Sequence, residues 1–333
     1  MYSVKSVLLQ VGLFCIGMSL QAQTTYYVKA GSHGNGLSWA QAFGDLQQAL
    51  ATAQAGDEIW VAQGKYLTTR SGNRSARFTI SDGVAVYGGF TGFETDRTQR
   101  DPRRNLTILS GEIGGPGAED NAYTVVYTRG VSARTLLDGF VITGGMANGN
   151  GKAGDLQACG AGWFNDGSSG SSKPTVRNCI FSNNIARNGA GMYNYGYRGE
   201  ASPRLENCRF ERNVANIDGG GVYNNGANGI SNTQIFNSRF FQNEATYGAG
   251  VFNTGEHGQT KPFIKDCLFE QNNSYVSGSG IYNHVKGKGV CEPMIRGCRF
   301  ENNYATVGNE VGSNASTAFS GGKSSMTLRT SGF

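Results

Sequence analysis

Carboxylate side chains, which could carry acid–base chemistry, are spread singly along this sequence of 333 residues. Glycoside hydrolysis requires two carboxyl groups about 5 to 9.5 Å apart, and lyase chemistry commonly requires an acidic calcium cluster beside a basic residue. Glu211, Glu270 and Glu301 recur in one phase of a repeat, which is typical of a solvated outer stripe. Asp218 has a more distinctive position, because the spacing places it one repeat away from Tyr247. The pattern indicates no catalytic residues, and a lyase or glycoside hydrolase is kept as the alternative function.

Metal-ligating side chains lack the spacing of a binding site. His257 and His284 fall in equivalent loops of adjacent repeats, where two histidines are most simply solvated. The histidines do not have zinc spacing, and the sequence has no D-x-D-x-D-G calcium loop. We therefore expect neither a metal site nor a cofactor.

The cysteines beyond Cys15 follow the repeat and lie at Cys159, Cys179, Cys208, Cys267, Cys291 and Cys298. Adjacent repeats bring two pairs within the Cα separation that a disulfide spans, namely Cys179 with Cys208 and Cys267 with Cys298. Side chains in register point the same way and must twist to bond, which favours stacked free thiols acting as small hydrophobic groups. An oxidising compartment favours disulfides instead, so both interpretations stay open.

A repeat of 29 to 30 residues positions these side chains. The motif G-x-G-φ-aromatic-N, where φ is apolar, starts at Gly160, Gly189, Gly219, Gly248 and Gly278. A second motif, Phe followed three residues later by Asn, keeps the same phase at Phe181 and Asn184, Phe210 and Asn213, Phe240 and Asn243, Phe269 and Asn272, and Phe300 and Asn303. Each unit contains three short strand-like pieces separated by Gly, Asn and Pro, and none could bury its apolar face alone.

Stacked units solve this problem, because each strand can pair with its copy about 4.8 Å above and below. Crossovers between parallel strands are right-handed in nearly all cases. The sequence therefore predicts an all-β fold, a single-stranded right-handed parallel β-helix with a short N-terminal capping α-helix. We expect the repeated phenylalanines to form one buried column, alongside Met192, Val222, Val251 and Ile281. The repeated asparagines should form ladders at strand bends, because Asn tolerates left-handed backbone.

The chain divides into five predicted parts. Residues 1–22 carry one basic residue, Lys5, then an apolar run and the small Ala22, which predicts a secretory signal peptide. The apolar run is too short to span a membrane, which takes about 20 residues. Residues 24–63 should form the N-terminal cap and first strand, residues 64–145 irregular early coils with inserted loops, and residues 146–313 the regular repeats. Residues 314–333 form a polar tail.

A helix is predicted to cover the first coil. Ser38 opens a plausible capping box, and Leu46, Ala49 and Leu50 fall on one helical stripe that ends before Gly56. We expect residues 45–53 to be helical and to hide Leu46 and Leu50 from solvent.

The paired G-x-G-φ and F-x-x-N motifs resemble the repeats of chlamydial-type polymorphic outer-membrane proteins. The sequences Y-Y-V-K-A-G at 26–31, G-D-E-I-W-V-A-Q-G-K-Y at 56–66 and L-D-G-F-V-I-T-G-G at 137–145 resemble secreted bacterial pectin-lyase-like β-helix proteins. The likeness covers roughly residues 26–313. It implies a bacterial protein that is secreted or held at the cell surface or outer membrane. Proteins of this kind include adhesins and polysaccharide-active enzymes, so the resemblance implies the fold more than the function.

Strand alternation points one aromatic side chain per coil away from the core, namely Phe164, Tyr193, Tyr223, Phe252 and Tyr282. Such a strip is suited to sugar rings or to a protein partner. The alternative is that the overlying loops cover the strip as a second small core. These loops, residues 166–173, 195–202, 225–232, 254–261 and 284–292, leave the coil at one corner and form a ridge of the kind that often carries recognition.

The composition and the charge distribution restrict the classes of partner that this protein is expected to bind. Charged residues make up 16% of the chain and the net charge of +5 is spread along it, whereas a nucleic-acid binder shows basic clusters. We expect no nucleic-acid partner, no transmembrane span in the mature chain, and a monomer. The predicted function is binding or adhesion to a polysaccharide or a cell-surface protein, without catalysis.

Overall fold

Short strands that could not bury an apolar face alone stack in register to form a right-handed parallel β-helix of about 10 turns. The computed structural model describes residues 23–115, 117–313, 323–324 and 327–329. The predicted signal peptide, residues 1–22, and most of the predicted tail, residues 314–333, lie outside the described residues. The predicted fold class is confirmed, and the boundaries between the five predicted parts stay predictions.

Two parallel sheets, which we call I and II, run along the stack from its first coils. Within the described part of the chain, sheet I contains Thr25–Val28, Glu58–Ala62, Ala85–Phe90, Leu136–Asp138, Thr175–Arg177, Arg204–Glu206, Gln234–Phe236, Phe263–Lys265, Met294–Arg296 and Thr327–Arg329. Sheet II contains Gly64–Leu67, Thr107–Ser110, Phe140–Thr143, Ile180–Ser182, Arg209–Glu211, Arg239–Phe241, Leu268–Glu270 and Arg299–Glu301.

Two further sheets complete each regular coil, which visits sheets I, II, III and IV in turn. Sheet III contains Met146–Ala147, Ile185–Asn188, Val214–Asp218, Glu244–Tyr247, Asn273–Ser277 and Tyr304–Ala305. Sheet IV contains Phe78–Thr79, Val126–Arg129, Trp163–Asp166, Met192–Tyr195, Val222–Asn225, Val251–Thr254, Ile281–His284 and Val311–Ser313. On the loop ridge, Ser171–Ser172 pairs with Glu200–Ala201, and Gln259–Thr260 and Lys323–Ser324 flank Val290–Cys291.

The interior of the stack is an apolar column set by the repeat. Phe181, Phe210, Phe240 and Phe269 are fully buried, with centroids of successive rings 4.6 to 5.0 Å apart. Met192, Val222, Val251 and Ile281 are also fully buried. Phe300 was expected to be buried as well but is only half-buried. Its strand, Arg299–Glu301, is the last described strand of sheet II, so no further described strand of that sheet covers its ring.

Two asparagine ladders run through the stack. Amide Nδ2 groups donate to the Oδ1 of the next coil at 2.9 to 3.0 Å along Asn184, Asn213, Asn243, Asn272 and Asn303. The corresponding distances are 2.8 to 3.3 Å along Asn165, Asn194, Asn224, Asn253 and Asn283. The expected position at left-handed bends is wrong for both ladders. The left-handed residue is the one before the first ladder, as at Asn183 with φ 52°, Arg212 with φ 50° and Gln242 with φ 52°. The ladder amides instead satisfy buried backbone carbonyls, such as that of Phe181 at 2.9 Å from Asn213.

The N-terminal cap is helical as predicted. The α-helix Leu46–Thr52 begins after Asp45, whose carboxylate accepts a hydrogen bond from the Gln47 backbone N–H at 2.9 Å. Leu46 and Leu50 are buried against the first coil. The expected role of Ser38 is corrected, because its hydroxyl caps the separate 3-10 helix Trp39–Gln41. A second 3-10 helix spans Arg97–Gln99.

Candidate functional site

Sheet IV positions the outward aromatic column. Parallel register aligns Phe164 with Tyr193, Tyr193 with Tyr223, Tyr223 with Phe252, and Phe252 with Tyr282 on successive strands. Centroids of neighbouring rings lie 4.7 to 5.7 Å apart. The apolar residue before each aromatic points into the core, so alternation along the strand places the aromatic on the outer surface.

The first rings of this column are covered. Phe164 is 2% exposed and Tyr193 is 0% exposed, and Tyr223 and Phe252 are also buried at 8% and 3%. The partial exposure expected of a binding strip is therefore wrong for Tyr193, Tyr223 and Phe252, and it is found at Tyr282. Residues 148–162 connect sheet III to sheet IV in this coil and bring Leu156, Ala158 and Cys159 against the rings. In the next coil only residues 189–191 make that connection. The insertion therefore turns the start of the column into a second small core.

Beyond the insertion, the column forms the floor of an open groove. Tyr223 and Phe252 are largely buried but line the groove, and Tyr282 is half-buried. The groove has a volume of about 820 Å³. Its lining comprises Ala153, Tyr195, Tyr197, Ile217, Asp218, Tyr223, Asn225, Ala227, Asn228, Tyr247, Phe252, Thr254, Glu256, Tyr282 and His284.

Aromatic residues also form the walls of this groove. Tyr195 ends a strand of sheet IV and Tyr197 lies in the loop that follows, and their rings stack at 5.8 Å with an interplanar angle of 11°. Tyr247 ends a strand of sheet III and lies 4.7 Å from the Tyr282 ring. The single-column expectation did not include these three tyrosines. The signal that could have found them is the aromatic pair Y-G-Y at 195–197, at the corner where the ridge loop begins.

Asp218 lies at the end of a sheet III strand and lines the groove beside Tyr247, its register partner in the next coil. Burial among these rings raises the pKa of its carboxyl from 3.8 to about 7. Its Oδ1 is buried and has no hydrogen-bond partner among the described residues. A buried polar atom without a hydrogen-bond partner is costly. The Asp218 carboxyl group is therefore a position where a ligand in the groove could supply the missing hydrogen bond.

The ridge side of the groove carries Glu256 and His284. The Glu256 carboxylate pairs with the Lys286 ammonium at 2.9 Å. Burial lowers the pKa of His284, whose ring stacks on Phe252 at 6.1 Å. His257, in the ridge loop of the preceding coil, is exposed and does not line the groove. His284 ends a sheet IV strand as the register partner of Thr254, whereas His257 lies three residues beyond Thr254, so the two histidines do not occupy the same position in the repeat.

The repeated glutamates are not the solvated stripe that their spacing suggested. Glu211 is buried and pairs with Arg209, and Glu270 pairs with Arg239 at 2.6 Å. Only Glu301, in the last described strand of sheet II, is exposed. In the preceding coils arginines on sheet II cover the carboxylates, which makes this face a set of ion pairs outside the groove.

The six cysteines of the described chain are free thiols, and five of them are buried. Burial raises the pKa of Cys179 well above its usual value and that of Cys208 to about 12. Thiols in such surroundings act as small apolar groups, as the stacked-thiol interpretation predicts. Within the described residues, no group of three or more His, Cys, Asp or Glu is arranged to hold a metal ion. None of the described helices is long and apolar enough to cross a membrane.

Comparison with known proteins adds little to this geometry. No protein-family model and no curated protein matches the chain. Among solved structures, a protein named rhamnogalacturonan lyase is similar, with a TM-score of 0.42 and 10% sequence identity over 82% of this chain and 74% of that chain. A similarity of this size implies neither an activity nor a substrate for this chain. The resemblance to polymorphic outer-membrane proteins stays a prediction.

Proposed function

We propose that this protein binds an extended glycan chain in the aromatic groove and does so without catalysis. The observation that supports this most directly is the set of aromatic side chains that line the groove, namely Tyr195, Tyr223, Tyr247, Phe252 and Tyr282. Aromatic rings provide flat apolar surfaces against which the apolar faces of sugar rings can pack. Asn225, Asn228 and Thr254 add polar groups along the same wall, and a few such groups fix a ligand's orientation.

The dimensions of the groove suit a short stretch of polymer. Its rings come from four successive coils, from Tyr195 to Tyr282. Coils are spaced about 4.8 Å apart, so the rings span roughly 14 Å along the stack. Three sugar units need a site of about that length. A groove of this form also favours a chain over the flat surface of a folded protein partner.

Glycan-array binding of the purified protein tests the proposal. Tyr282→Ala and Tyr247→Ala should each weaken binding to the recognised glycan at least fivefold, because both remove a ring that lines the groove. Tyr275→Ala is the matched control, since Tyr275 is 59% exposed and does not line the groove. Equal loss in the control, or no loss in either groove variant, would place the binding site elsewhere.

Hydrolysis is a second candidate, and the position of Asp218 favours it. A carboxyl group with a pKa of about 7 can act as a general acid at neutral pH. Glu256 lines the same groove, but its ion pair with Lys286 holds it in another interaction. Release of new reducing ends from the recognised glycan without unsaturated products, abolished by Asp218→Asn, would establish a hydrolase. Binding without product would establish the non-catalytic function.

Export to the bacterial cell surface or medium belongs to the same proposal. Its support is the sequence of residues 1–22, with Lys5 before an apolar run and Ala22 after it. N-terminal sequencing of protein recovered from the medium or outer membrane should give a mature chain that begins near Gln23. Recovery of the intact chain from the cytoplasm would contradict it.

A further inference from the structure

The end of one sheet III strand places a carboxyl group among tyrosine rings. Tyr247 is the register partner of Asp218, and the Tyr247 ring lies 4.7 Å from that of Tyr282. Tyr223 lies on the adjoining sheet IV strand of the same coil as Asp218. The negative charge of Asp218 acts on both Tyr223 and Tyr282 and raises the pKa of each, after the larger effect of burial. The rings of Tyr247 and Tyr282 therefore line the groove beside this carboxyl group, whereas Tyr223 is largely buried and packs between Tyr193 and Phe252.

Nothing among the described lining residues neutralises this carboxyl group. The lining contains two acids, Asp218 and Glu256, and one histidine, His284, whose pKa is lowered by burial, but neither lysine nor arginine. Glu256 is paired with Lys286, whereas Asp218 Oδ1 is buried without a hydrogen-bond partner. Arg198 directly follows the lining residue Tyr197 and stacks on its ring, with 5.2 Å between the guanidinium carbon and the ring centroid. The groove thus offers one uncompensated acidic position.

A carboxylate beside the rings of Tyr247 and Tyr282 is an arrangement that can receive an organic ammonium group. Ring faces attract a cation through their quadrupole, and more strongly when water is excluded. An unpaired buried carboxylate gains its missing partner at the same time. A neutral sugar would satisfy Asp218 only through a hydroxyl, and an acidic sugar would meet like charge without a cation to offset it.

We infer that the groove recognises glycans with free amino groups, such as oligomers of glucosamine. The ammonium group lies between Asp218 Oδ1 and the rings of Tyr247 and Tyr282. This assignment rests on the proposed glycan-binding function and specifies its ligand. It excludes uronic-acid polymers as the preferred ligand of this groove.

Calorimetric titration of the full protein at pH 7 can test the assignment. The ligands are the pentamers of glucosamine, N-acetylglucosamine and galacturonate. Glucosamine pentamer should bind at least tenfold more tightly than its N-acetylated counterpart, and galacturonate should bind most weakly. Asp218→Asn should abolish the preference for the free amine. Glu119→Gln, an exposed acid away from the groove, should retain it.

The outcomes separate the two proposals. Equal affinity for both glucosamine forms, or a preference unchanged in Asp218→Asn, would overturn the ammonium site and leave glycan binding intact. Absence of binding by all three pentamers together with absence of binding on the glycan array would overturn the proposed function. Titration with tetramethylammonium, which is charged at every pH, then decides the ammonium site alone. NMR resonances of the tyrosine rings are followed during this titration. Resonances that shift in the wild type but not in Asp218→Asn support the site, and no shift in either protein overturns it.

Discussion

The inner and outer aromatic columns of the stack arise from the same in-register stacking but differ in ring geometry and in their surroundings. In the inner column, from Phe181 to Phe300, neighbouring rings lie within 8° of parallel at 4.6 to 5.0 Å. In the outer column, from Phe164 to Tyr282, they tilt by 16° to 30° at 4.7 to 5.7 Å. In-register stacking produces both columns. The surroundings of each ring, which the repeat does not determine on the outer face, produce the difference.

The inner rings are enclosed by their own coils, whereas the outer rings depend on a segment that does not repeat. Residues 148–162 bury Phe164 and Tyr193, and later coils have no such insertion. The same column is therefore a core at one end and a groove floor at the other. A position in a repeat determines where a side chain points, and the non-repeating insertion determines whether a ligand can reach it.

The largest effect should come from the inner column. Phe240→Ala should lower the free energy of unfolding by about 3 to 5 kcal/mol, because the ring is fully buried and packs against a neighbour on each side. Denaturant unfolding followed by circular dichroism measures this. Phe300→Ala is the matched control and should cost less, since Phe300 is half-buried and stacks on Phe269 alone among the described rings. Equal costs would show that the inner column is not the main source of stability.

The outer column should respond unequally along its length. Tyr193→Ala should destabilise the protein by about 3 kcal/mol, because it empties a buried site and removes the acceptor of the 2.7 Å hydrogen bond from Asn225. Tyr282→Ala should cost about 1 kcal/mol, because that ring is half-buried at the groove. Thermal unfolding of both variants checks the contrast. Similar melting temperatures would mean that the insertion does not divide the column.

The fold was predictable from sequence because three motifs recur in one phase. The spacing of Phe181, Phe210 and Phe240 already requires parallel coils with those rings on one line. The repeat could not reveal that the left-handed corner falls on Arg212 and Gln242, since neither residue type favours that backbone. Tertiary packing imposes the corner there, between two strands of fixed register.

The groove was only partly predictable. Strand alternation places Tyr223, Phe252 and Tyr282 on the outer face, as the structure has them. Whether they are covered depends on residues 148–162, a segment that falls outside the repeat pattern. In the wall formed by Tyr195 and Tyr197, Tyr195 ends a strand, but Tyr197 belongs to a loop whose path follows from glycine turns and local packing. Asp218 was singled out by its spacing from Tyr247, but its lack of a partner is visible only in three dimensions.

Charge provides a further contrast, since the inner column has no titrating group and the groove has Asp218. Burial raises the folded-state pKa of Asp218 from 3.8 to about 7, so the folded state favours the neutral carboxyl. The stability from this preference is fully present below about pH 4 and is lost as pH rises through 7. Asp218→Asn should therefore stabilise the protein at pH 8, because it removes a carboxylate that is costly to bury. We expect a gain on the order of 2 kcal/mol, since water in the groove offsets part of the burial cost.

Unfolding free energies of wild type and Asp218→Asn, measured from pH 4 to pH 8, check this prediction. The two curves should meet near pH 4 and separate progressively up to about pH 7. Glu119→Gln serves as control and should follow the wild type throughout, because Glu119 is exposed. Parallel curves for wild type and Asp218→Asn would mean that Asp218 is ionised in the folded protein at all of these pH values.

The smallest effect concerns the corner that keeps the inner column regular. Gln242 adopts φ 52°, a left-handed conformation that asparagine adopts more readily than glutamine. Gln242→Asn should stabilise the protein by about 0.5 kcal/mol, because the gain in backbone preference outweighs the exposed 3.0 Å hydrogen bond between the Gln242 and Gln271 amides. Gln157→Asn, an exposed glutamine outside the left-handed region, should change stability by less than that. Differential scanning calorimetry of the two variants resolves the difference. A destabilised Gln242→Asn would mean that the side-chain pair, and not the backbone, holds this corner, and that the inner column depends on surface contacts as the outer column does.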